Sequence, residues 1–318
     1  MVKLSDPMRV LGIDAGGTKT VCLLADEHGT ILSEARGPGA NLQVVGELEV
    51  EKVLHHVMET ALDGQSIRPV AVCLGIAGVD REDDSRTVSG IMRRISYGSR
   101  VVVVNDALVA LEAGAPSAPG IVVICGTGSI AYGRNDRGLA ARSGGWGHVI
   151  GDEGSGYWIG QQAVMSVMRE SDGRGPKTRL TGLVLAHFDV RDAAGLVHVV
   201  YSRNTTRRSI ATLGPAVQQA CDAGDAVAVG ILQRAATELV LAADSVAARL
   251  NMKDQEFPFI LAGGVFRVVP WLVEELKRRL HEIAVRSRID LLTTEPAQGA
   301  VWLALAEARG GATVPKYV

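Results

Sequence analysis

The stretch that decides the fold runs from Gly120 to Gly160 and reads GIVVICGTGSIAYGRNDRGLAARSGGWGHVIGDEGSGYWIG. It opens with an apolar run over 121–125, which predicts a buried strand. A small-residue turn at 126–128, a second strand over 129–133 and a glycine-containing turn at 135–138 then predict a hairpin. Glycine at this density costs backbone entropy on folding, so it indicates close approach of a ligand rather than a plain surface loop.

The same design occurs once earlier, in the segment VLGIDAGGTKTVCLLADEHGTILSEA at Val10–Ala35. Here too a strand leads to a glycine turn, a second strand, a hairpin and a third strand. Gly17, Thr18 and Gly29 have counterparts at the same spacing in Gly126, Thr127 and Gly138. Two matched copies in one chain predict two halves of related fold that face each other.

Composition describes an ordinary globular chain. Its 318 residues are enough for two domains, and 47% of them are hydrophobic. The net charge of −2 provides no electrostatic footprint for nucleic acid or an anionic membrane. No apolar run approaches the ~20 residues of a membrane span, and the first eight residues lack the apolar core of a signal peptide, so we expect a cytoplasmic protein without a membrane partner.

The four cysteines favour packing over chemistry. They stand at positions 22, 73, 125 and 221, and their separations match no zinc or iron–sulfur spacing. Cys22, Cys73 and Cys125 lie inside apolar runs and are predicted to be buried small hydrophobes.

Periodicity predicts the remaining elements. The most β-prone run, Val101–Val104, is predicted to be a central strand, and Arg288–Leu292 the last strand. Helices are predicted over Glu47–Leu62 (Leu48 on its apolar face), 82–95, 107–113, 157–168, Ser209–Ala223, Asp225–Leu250, 270–285 and 297–309. The proline-rich segment Ala115–Pro119 is the best domain boundary.

Several polar residues permit two interpretations. Asn41 and Asp106 each precede a predicted helix and could cap it. Lys19 is either a phosphate ligand or a solvated surface cation. Trp146 is either a ligand-contacting ring or a core anchor, and His148 is favoured as a structural histidine.

Five motifs together resemble one family. They are Gly12–Thr20 (GIDAGGTKT), Val104–Ala107 (VNDA), Cys125–Ser129 (CGTGS), Gly144–Ser155 (GGWGHVIGDEGS) and Leu261–Val265 (LAGGV). In this order they resemble the N-acetylglucosamine kinase branch of the BadF/BadG/BcrA/BcrD ATPase family, within the actin and hexokinase superfamily. The block at 144–155 is the most specific of the five.

The resemblance implies an α/β fold of two ribonuclease H-like, actin-like ATPase domains. Each would be a mixed sheet flanked by helices, and a central cleft would lie between them. We expect an N-terminal domain over residues 1–115 and a C-terminal domain over 116–318. In the superfamily the terminal helix, here 297–309, can pack back on the N-terminal domain, and the sequence leaves this open.

The resemblance also implies an ATP-dependent sugar kinase acting on the 6-hydroxyl of N-acetylglucosamine or a close amino sugar. Asp106 would be the catalytic base, and Asp14 would hold Mg²⁺, the expected metal, at the end of the first strand. The expected ATP-binding residues are Gly16, Gly17, Thr18, Gly126, Thr127, Gly128, Gly263 and Gly264. The expected sugar-binding residues are Asn41, Asp106, Ser129, Gly145, Trp146, Gly147 and Asp152.

The family context leaves other functions open. One is a glucosamine kinase, and another is an ATPase that activates a dehydratase, which would need paired exposed thiols for an iron–sulfur cluster. A third is a sugar sensor without catalysis, which the presence of Asp106 and both glycine turns disfavours. The expected partners are a small sugar and a second copy of the chain, as a homodimer.

Overall fold

The computed structural model describes residues 8–63, 68–79, 82–96 and 98–318 as a mixed α/β structure, as predicted. The described strands are β1 (Arg9–Ala15), β2 (Lys19–Asp26), β3 (Ile31–Pro38), β4 (Ala71–Ile76), β5 (Arg100–Asn105), β6 (Gly120–Cys125), β7 (Ser129–Arg134), β8 (Leu139–Gly144), β9 (Pro258–Ala262), β10 (Arg288–Leu291) and β11 (Lys316–Tyr317). The described helices are α1 (Leu42–Val45), α2 (Glu47–Leu62), α3 (Glu82–Ile95), α4 (Asp106–Gly114), α5 (Gly156–Ser171), α6 (Leu180–His187), α7 (Ala193–Val200), α8 (Arg207–Ala211), α9 (Gly214–Asp222), α10 (Ala226–Arg249), α11 (Val265–Val268), α12 (Pro270–Ile283) and α13 (Ala297–Ala308).

Internal packing divides the chain into two compact units. The first contains the residues up to Gly120 together with 133–140 and 292–318, and the second contains 121–132 and 141–291. The domain boundary expected near residue 115 stays a prediction.

The first sheet has the strand order β3-β2-β1-β4-β5. β1 pairs antiparallel with β2 and parallel with β4. All of β1 after Arg9 is buried, because its apolar side chains and Gly12 are covered on both faces. This central strand carries Asp14 to the carboxyl end of the sheet.

One strand position was wrongly predicted. β5 contains the valine run, but it lies at the edge of the first sheet rather than at its centre. Val101 and Val103 are only partly buried against the core of this unit. Residues that favour β structure predict that a strand forms, but they do not determine its position in the sheet. That position depends on which strands, from distant parts of the chain, pair with it.

Helix α13 packs on β1 inside the first unit. A Cβ atom at Gly12 would lie 2.3 Å from the backbone nitrogen of Val301, and one at Gly299 would lie 2.1 Å from the carbonyl oxygen of Val109. These two glycines therefore let the helix approach both β1 and α4 at backbone distance. The C-terminal segment in this way completes the core around the strand that carries Asp14.

The second sheet repeats the order of the first. Its strands are arranged β10-β9-β6-β7-β8-β11, so β8-β7-β6-β9-β10 corresponds strand for strand to β3-β2-β1-β4-β5. The hairpin turns also match in detail. Asp26 Oδ1 accepts hydrogen bonds from the amides of residues 28 and 30, and Asn135 Oδ1 accepts them from those of residues 137 and 139. The repeat seen in the sequence is thus a repeat of topology and of turn chemistry.

Two further predictions at element ends were wrong. β10 is not the last described strand, because β11 follows it and pairs with β8. The sequence did not predict β11, since a strand of two residues has no periodic signal. The helix predicted over Ser209–Ala223 is divided into α8 and α9, because Pro215 lies at the start of α9 and cannot continue a preceding helix.

One helix surface also differs from expectation. Leu48 was placed on the buried face of α2 but is 68% exposed. Among the described helices, α10 is by length and composition apolar enough to cross a membrane. Its buried face, however, packs against α5, α9 and α12, as in the core helix of a globular unit.

Candidate functional site

Asp14 is a buried carboxylate at the carboxyl end of β1, with 8% of its surface exposed. Burial and, to a lesser extent, the nearby charge of Asp106 raise its pKa from 3.8 to about 8, against the opposing charge of Lys19. When both are ionised, the carboxylates of Asp14 and Asp106 repel each other, and a cation bound nearby would offset this repulsion. A divalent cation fits this donor set, since Mg²⁺ is commonly bound by one or two carboxylates plus phosphate oxygens.

The first glycine turn connects β1 to β2. The amide of Gly16 donates to the carbonyl of Lys19 at 3.0 Å, which closes the turn. A Cβ atom at Gly17 would meet nothing within 4 Å, whereas one at Gly39 would lie 2.4 Å from the carbonyl oxygen of Gly17. The fold therefore needs glycine at position 39, and at position 17 it leaves open space over the backbone.

This contrast makes a prediction. We expect Gly17→Ala to keep the melting temperature of the wild type and to raise the KM for ATP, because the added methyl group occupies space that a phosphate would use. Gly39→Ala should lower stability by about 1–3 kcal/mol through overpacking. Thermal melts and ATP titrations of both variants check this. A destabilised Gly17→Ala, or one with an unchanged KM for ATP, would contradict it.

Lys19 is a half-exposed cation that forms an ion pair, and the phosphate contact considered for it stays a prediction. Its Nζ lies 2.6 Å from Glu295 Oε1, and Arg36 Nη2 lies 3.4 Å from Glu295 Oε2. Lys19 is about half exposed and in this structure is paired with a carboxylate that precedes α13. Sequence reasoning missed Glu295, since nothing in a Glu-Pro pair signals a partner so distant along the chain.

Asn41 caps α1. Its Oδ1 accepts a hydrogen bond from the amide of Gln43 at 3.0 Å, which is the capping alternative considered above. The cap uses the carbonyl end of the side chain, and the amide end carries two donors. The sugar contact expected of Asn41 therefore stays a prediction that concerns its Nδ2 group.

Asn105, rather than Asp106, caps α4. The Oδ1 atom of Asn105 accepts from the amide of Ala107 at 2.8 Å, and Asp106 is the first residue of the helix. A carboxylate in the first turn is stabilised by the helix dipole without serving as the cap. The structure thus removes the capping explanation for Asp106 and brings its charge close to Asp14.

The second glycine turn, in the second unit, is fastened to the start of α5. The amide of Gly126 donates to the carbonyl of Gly128 at 2.9 Å, and the amide of Gly156 donates to the carbonyl of Gly126 at 2.8 Å. A third bond joins the Tyr157 amide to the Thr127 carbonyl at 3.3 Å. This anchoring to the first turn of a helix holds Gly126, Thr127 and Gly128 in a defined conformation.

Asp152 organises the neighbouring loop from a buried position with a positive φ of 60°. Burial raises the pKa of this carboxyl, and hydrogen bonds from the amides of Ser129 and Gly147 oppose that shift. A Cβ atom at Gly128 would lie 2.9 Å from Asp152 Oδ2. The structure therefore brings together four predicted site residues, from the turn at 126–129 and the loop at 144–152.

Ser129 has an internal partner. Its hydroxyl donates to the carbonyl of Glu153 at 2.8 Å, and 7% of the residue is exposed. The hydrogen bond tethers β7 to the loop that contains Asp152. The expected sugar contact of Ser129 stays a prediction.

Trp146 is not a core anchor, since 56% of it is exposed. The guanidinium carbon of Arg142 lies 4.3 Å from the centre of the Trp146 ring, a cation–π contact that the sequence did not indicate. Gly145 and Gly147 flank the ring with positive φ angles of 72° and 86°, which glycine adopts without strain. The loop thus presents one large ring between two glycines that hold left-handed backbone conformations.

A pocket of about 270 Å³ adjoins this ring inside the second unit. Ile130, Leu239 and Leu241 line it together with Glu153 and Glu238. Its lining therefore includes both apolar and acidic residues, with Trp146 among them.

The third glycine turn follows β9. Gly263 has a φ of 116°, and a Cβ atom there would lie 2.2 Å from the carbonyl oxygen of Cys125. Glycine at 263 is thus required by contact with β6, whereas Gly264 has open space around it. Close packing of strand and turn accounts for Gly263, and the adenosine contact expected of this pair stays a prediction.

The cysteines give no metal centre. All four are buried free thiols, and burial raises the pKa of Cys22, Cys73 and Cys125 far above the ordinary thiol range. Among the described residues no cluster of three or more histidine, cysteine or acidic side chains could hold a metal ion. The paired exposed thiols that an iron–sulfur activator requires are not formed by these residues.

Comparison with known proteins agrees with this arrangement. Over 302 residues, covering 94% of this chain and 98% of the relative, the sequence is 38% identical to an N-acetylmuramic acid/N-acetylglucosamine kinase of Clostridium acetobutylicum. It is 34% identical over 309 residues to an N-acetyl-D-glucosamine kinase of Dictyostelium discoideum, covering 93% of this chain and 97% of the relative.

A solved structure and a family profile extend the likeness. The structure is that of a Chromobacterium violaceum protein provisionally described as an N-acetylglucosamine kinase. It has a TM-score of 0.76 and 28% identity, covering 94% of this chain and 99% of that one. Residues 11–304 match the profile of the BadF/BadG/BcrA/BcrD ATPase family. The resemblance noted in the sequence is thereby confirmed, and the chain belongs to the BadF/BadG/BcrA/BcrD ATPase family.

Proposed function

We propose that the protein is an ATP-dependent kinase that phosphorylates the 6-hydroxyl of N-acetylglucosamine. The observation that carries the proposal is that two neighbouring residues at the start of α4 have different roles. Asn105 caps the helix, and the carboxylate of Asp106 is left beside Asp14 at the carboxyl end of the first sheet. The names of the two curated relatives support the choice of sugar.

In this proposal the three glycine turns bind ATP. Backbone N–H groups of Gly16–Thr18 and Gly126–Gly128 would neutralise phosphate charge, and Gly263 and Gly264 would lie against the adenosine. Asp14 would hold Mg²⁺, which would supply charge neutralisation on the phosphates. The pKa of Asp14, about 8 without a cation, supports this role, because a bound cation stabilises the ionised form.

Asp106 would accept the proton of the attacking hydroxyl. Because phosphoryl transfer proceeds through a loose transition state, the base mainly orients the nucleophile. Asn41, Ser129, Gly145, Trp146, Gly147 and Asp152 would position the sugar. The exposed ring of Trp146 offers an apolar surface for the acetamide methyl group, and the amides around it offer polar partners.

Two other amino sugars are candidate acceptors. Glu153 and Glu238 line the pocket beside Trp146 and could pair with the ammonium group of glucosamine. The name of the Clostridium relative also includes N-acetylmuramic acid, so we include that sugar among the proposed acceptors. The homodimer and the cytoplasmic location stay predictions.

The test is a panel of initial rates at fixed Mg²⁺–ATP. We expect kcat/KM for N-acetylglucosamine to exceed that for glucosamine and for glucose by at least about tenfold, or 1.4 kcal/mol of discrimination. Trp146→Ala should reduce this preference. Val149→Ala, which shortens another exposed apolar side chain of the same loop, should leave it unchanged.

The position of transfer needs its own measurement. Phosphorus-coupled NMR of the product should place the phosphate on O6, and 6-deoxy-N-acetylglucosamine should not consume ATP beyond the background rate. Glucosamine as the best substrate would overturn the sugar assignment, and turnover of the 6-deoxy sugar would overturn the site of transfer.

A further inference from the structure

Asp152 has a cationic neighbour that sequence reasoning did not single out. Arg207 Nη1 lies 3.4 Å from His148 Nδ1 and donates to it in the neutral tautomer that carries its proton on Nε2. While burial raises the pKa of Asp152, the charge of Arg207 lowers it, so the guanidinium lies within electrostatic reach of that carboxylate. Arg207 and His148 are 59 residues apart in the chain, and only the fold of the second unit brings them together.

The position of Arg207 is built into the structure. It is the first residue of α8, which begins with a reciprocal cap between Thr206 and Ser209. Helix α8 packs tightly on α5, since a Cβ atom at Gly160 would lie 2.1 Å from the carbonyl oxygen of Ile210. His148 is held in turn by an edge-to-face contact with Tyr157, at 5.3 Å between ring centres.

The guanidinium retains donors for a ligand. It carries five N–H groups, and among the described residues its recorded polar contact is the single bond to His148. A half-buried arginine of this kind binds a carboxylate well, because two parallel hydrogen bonds match the geometry of the two oxygens. Arg142, on β8, is by contrast stacked on Trp146 and donates to the carbonyl of Gly144.

We propose that Arg207, supported by His148, forms a subsite for the carboxylate of an acidic substituent on the amino sugar. A neutral sugar bound at Asp152 needs no cation nearby, whereas a carboxylate carried by the sugar would be repelled by Asp152 unless a positive charge offsets it. The lactyl ether group on O3 of N-acetylmuramic acid supplies such a carboxylate. This inference rests on the proposed kinase function and names the class of substrate that the site accepts.

The experiment compares three acceptors: N-acetylmuramic acid, its methyl ester and N-acetylglucosamine. The ester has the size of the acid without its charge. We expect the wild type to prefer the acid to the ester by at least about tenfold in kcat/KM. Arg207→Gln should abolish that preference and change kcat/KM for N-acetylglucosamine by less than threefold. Arg207→Lys should restore part of it. Arg208→Gln, an exposed neighbour on the same helix, is the matched control and should behave as the wild type.

The possible outcomes separate this inference from the proposed function. If N-acetylglucosamine is phosphorylated but the acid and its ester react equally, or neither reacts, the subsite is wrong and the kinase assignment stands. Equal losses with all three acceptors in Arg207→Gln would show that Arg207 only supports Asp152, and would also overturn the subsite. Absence of transfer to every acceptor would refute the proposed function itself.

Discussion

Replacement of Asp106 by asparagine should lower kcat by about 10²–10⁴-fold, the usual contribution of a positioned general base. Asparagine preserves the shape of the side chain and most of its hydrogen bonds, so the sugar Kd should change less than about tenfold, or 1.4 kcal/mol. The measurements are steady-state rates with N-acetylglucosamine and a direct sugar titration. Near-normal turnover would remove Asp106 from the role of base.

The adjacent residue provides the control. Asn105 caps α4 in the structure, so Asn105→Ala should lower stability by about 0.5–2 kcal/mol. Asp106→Asn should not lose that cap, and its melting temperature should stay near that of the wild type or rise through relief of the repulsion with Asp14. If Asp106→Asn were destabilised as strongly as Asn105→Ala, a structural role would account for both residues.

Replacement of Asp14 by asparagine should abolish most activity and yet stabilise the ligand-free protein at alkaline pH. Loss of the expected metal ligand should lower kcat/KM for Mg²⁺–ATP by at least about a hundredfold, because metal contacts contribute several kcal/mol. Stability should change in the opposite direction, since the variant no longer buries an acid that resists ionisation.

The pH dependence follows from the raised pKa of Asp14. Well below pH 3.8 both the folded and the unfolded chain keep the proton. Between the unfolded value of 3.8 and the folded value of about 8, only the unfolded chain releases it, so the free energy of unfolding falls as pH rises. One proton contributes a slope of about 1.4 kcal/mol per pH unit in this window. Asp14→Asn should lack that slope.

Melting temperatures at pH 5 and pH 8, without nucleotide or metal, measure the effect. The gain of the variant over the wild type should be larger at pH 8 than at pH 5. Asp26→Asn is a matched control, because the second copy of the repeat uses Asn135 for the same turn bonds. That variant should keep activity and show no gain at pH 8. An equal gain at both pH values for Asp14→Asn would contradict the assignment.

A further readout concerns the metal. In the wild type, Mg²⁺ added to nucleotide should raise the melting temperature beyond nucleotide alone, because ligands that bind the folded state stabilise it by mass action. In Asp14→Asn this increment should be largely lost. A full Mg²⁺ increment in the variant would place the metal elsewhere.

The sequence by itself determined the repeated design of the chain. Strand, glycine turn, strand and hairpin recur with Gly17 and Gly126 in register, because turn chemistry and apolar runs are local properties. The bounds of α2 and α3 and the strand that presents Asp14 were predicted for the same reason. Spaced motifs also identified the family, since the order of several short patterns is seldom reproduced by chance.

Only the tertiary structure decided which residues meet. Asn105 caps α4 because the helix begins at Asp106, although both residue types are acceptable caps. The edge position of β5 and the pairing of Lys19 with Glu295 depend on segments far apart in sequence. The contact of Arg207 with His148 depends on α8 packing against α5 through Gly160. Such contacts depend on how the elements pack in three dimensions. The order of residues along the chain does not state which distant side chains fit together or how far apart they lie.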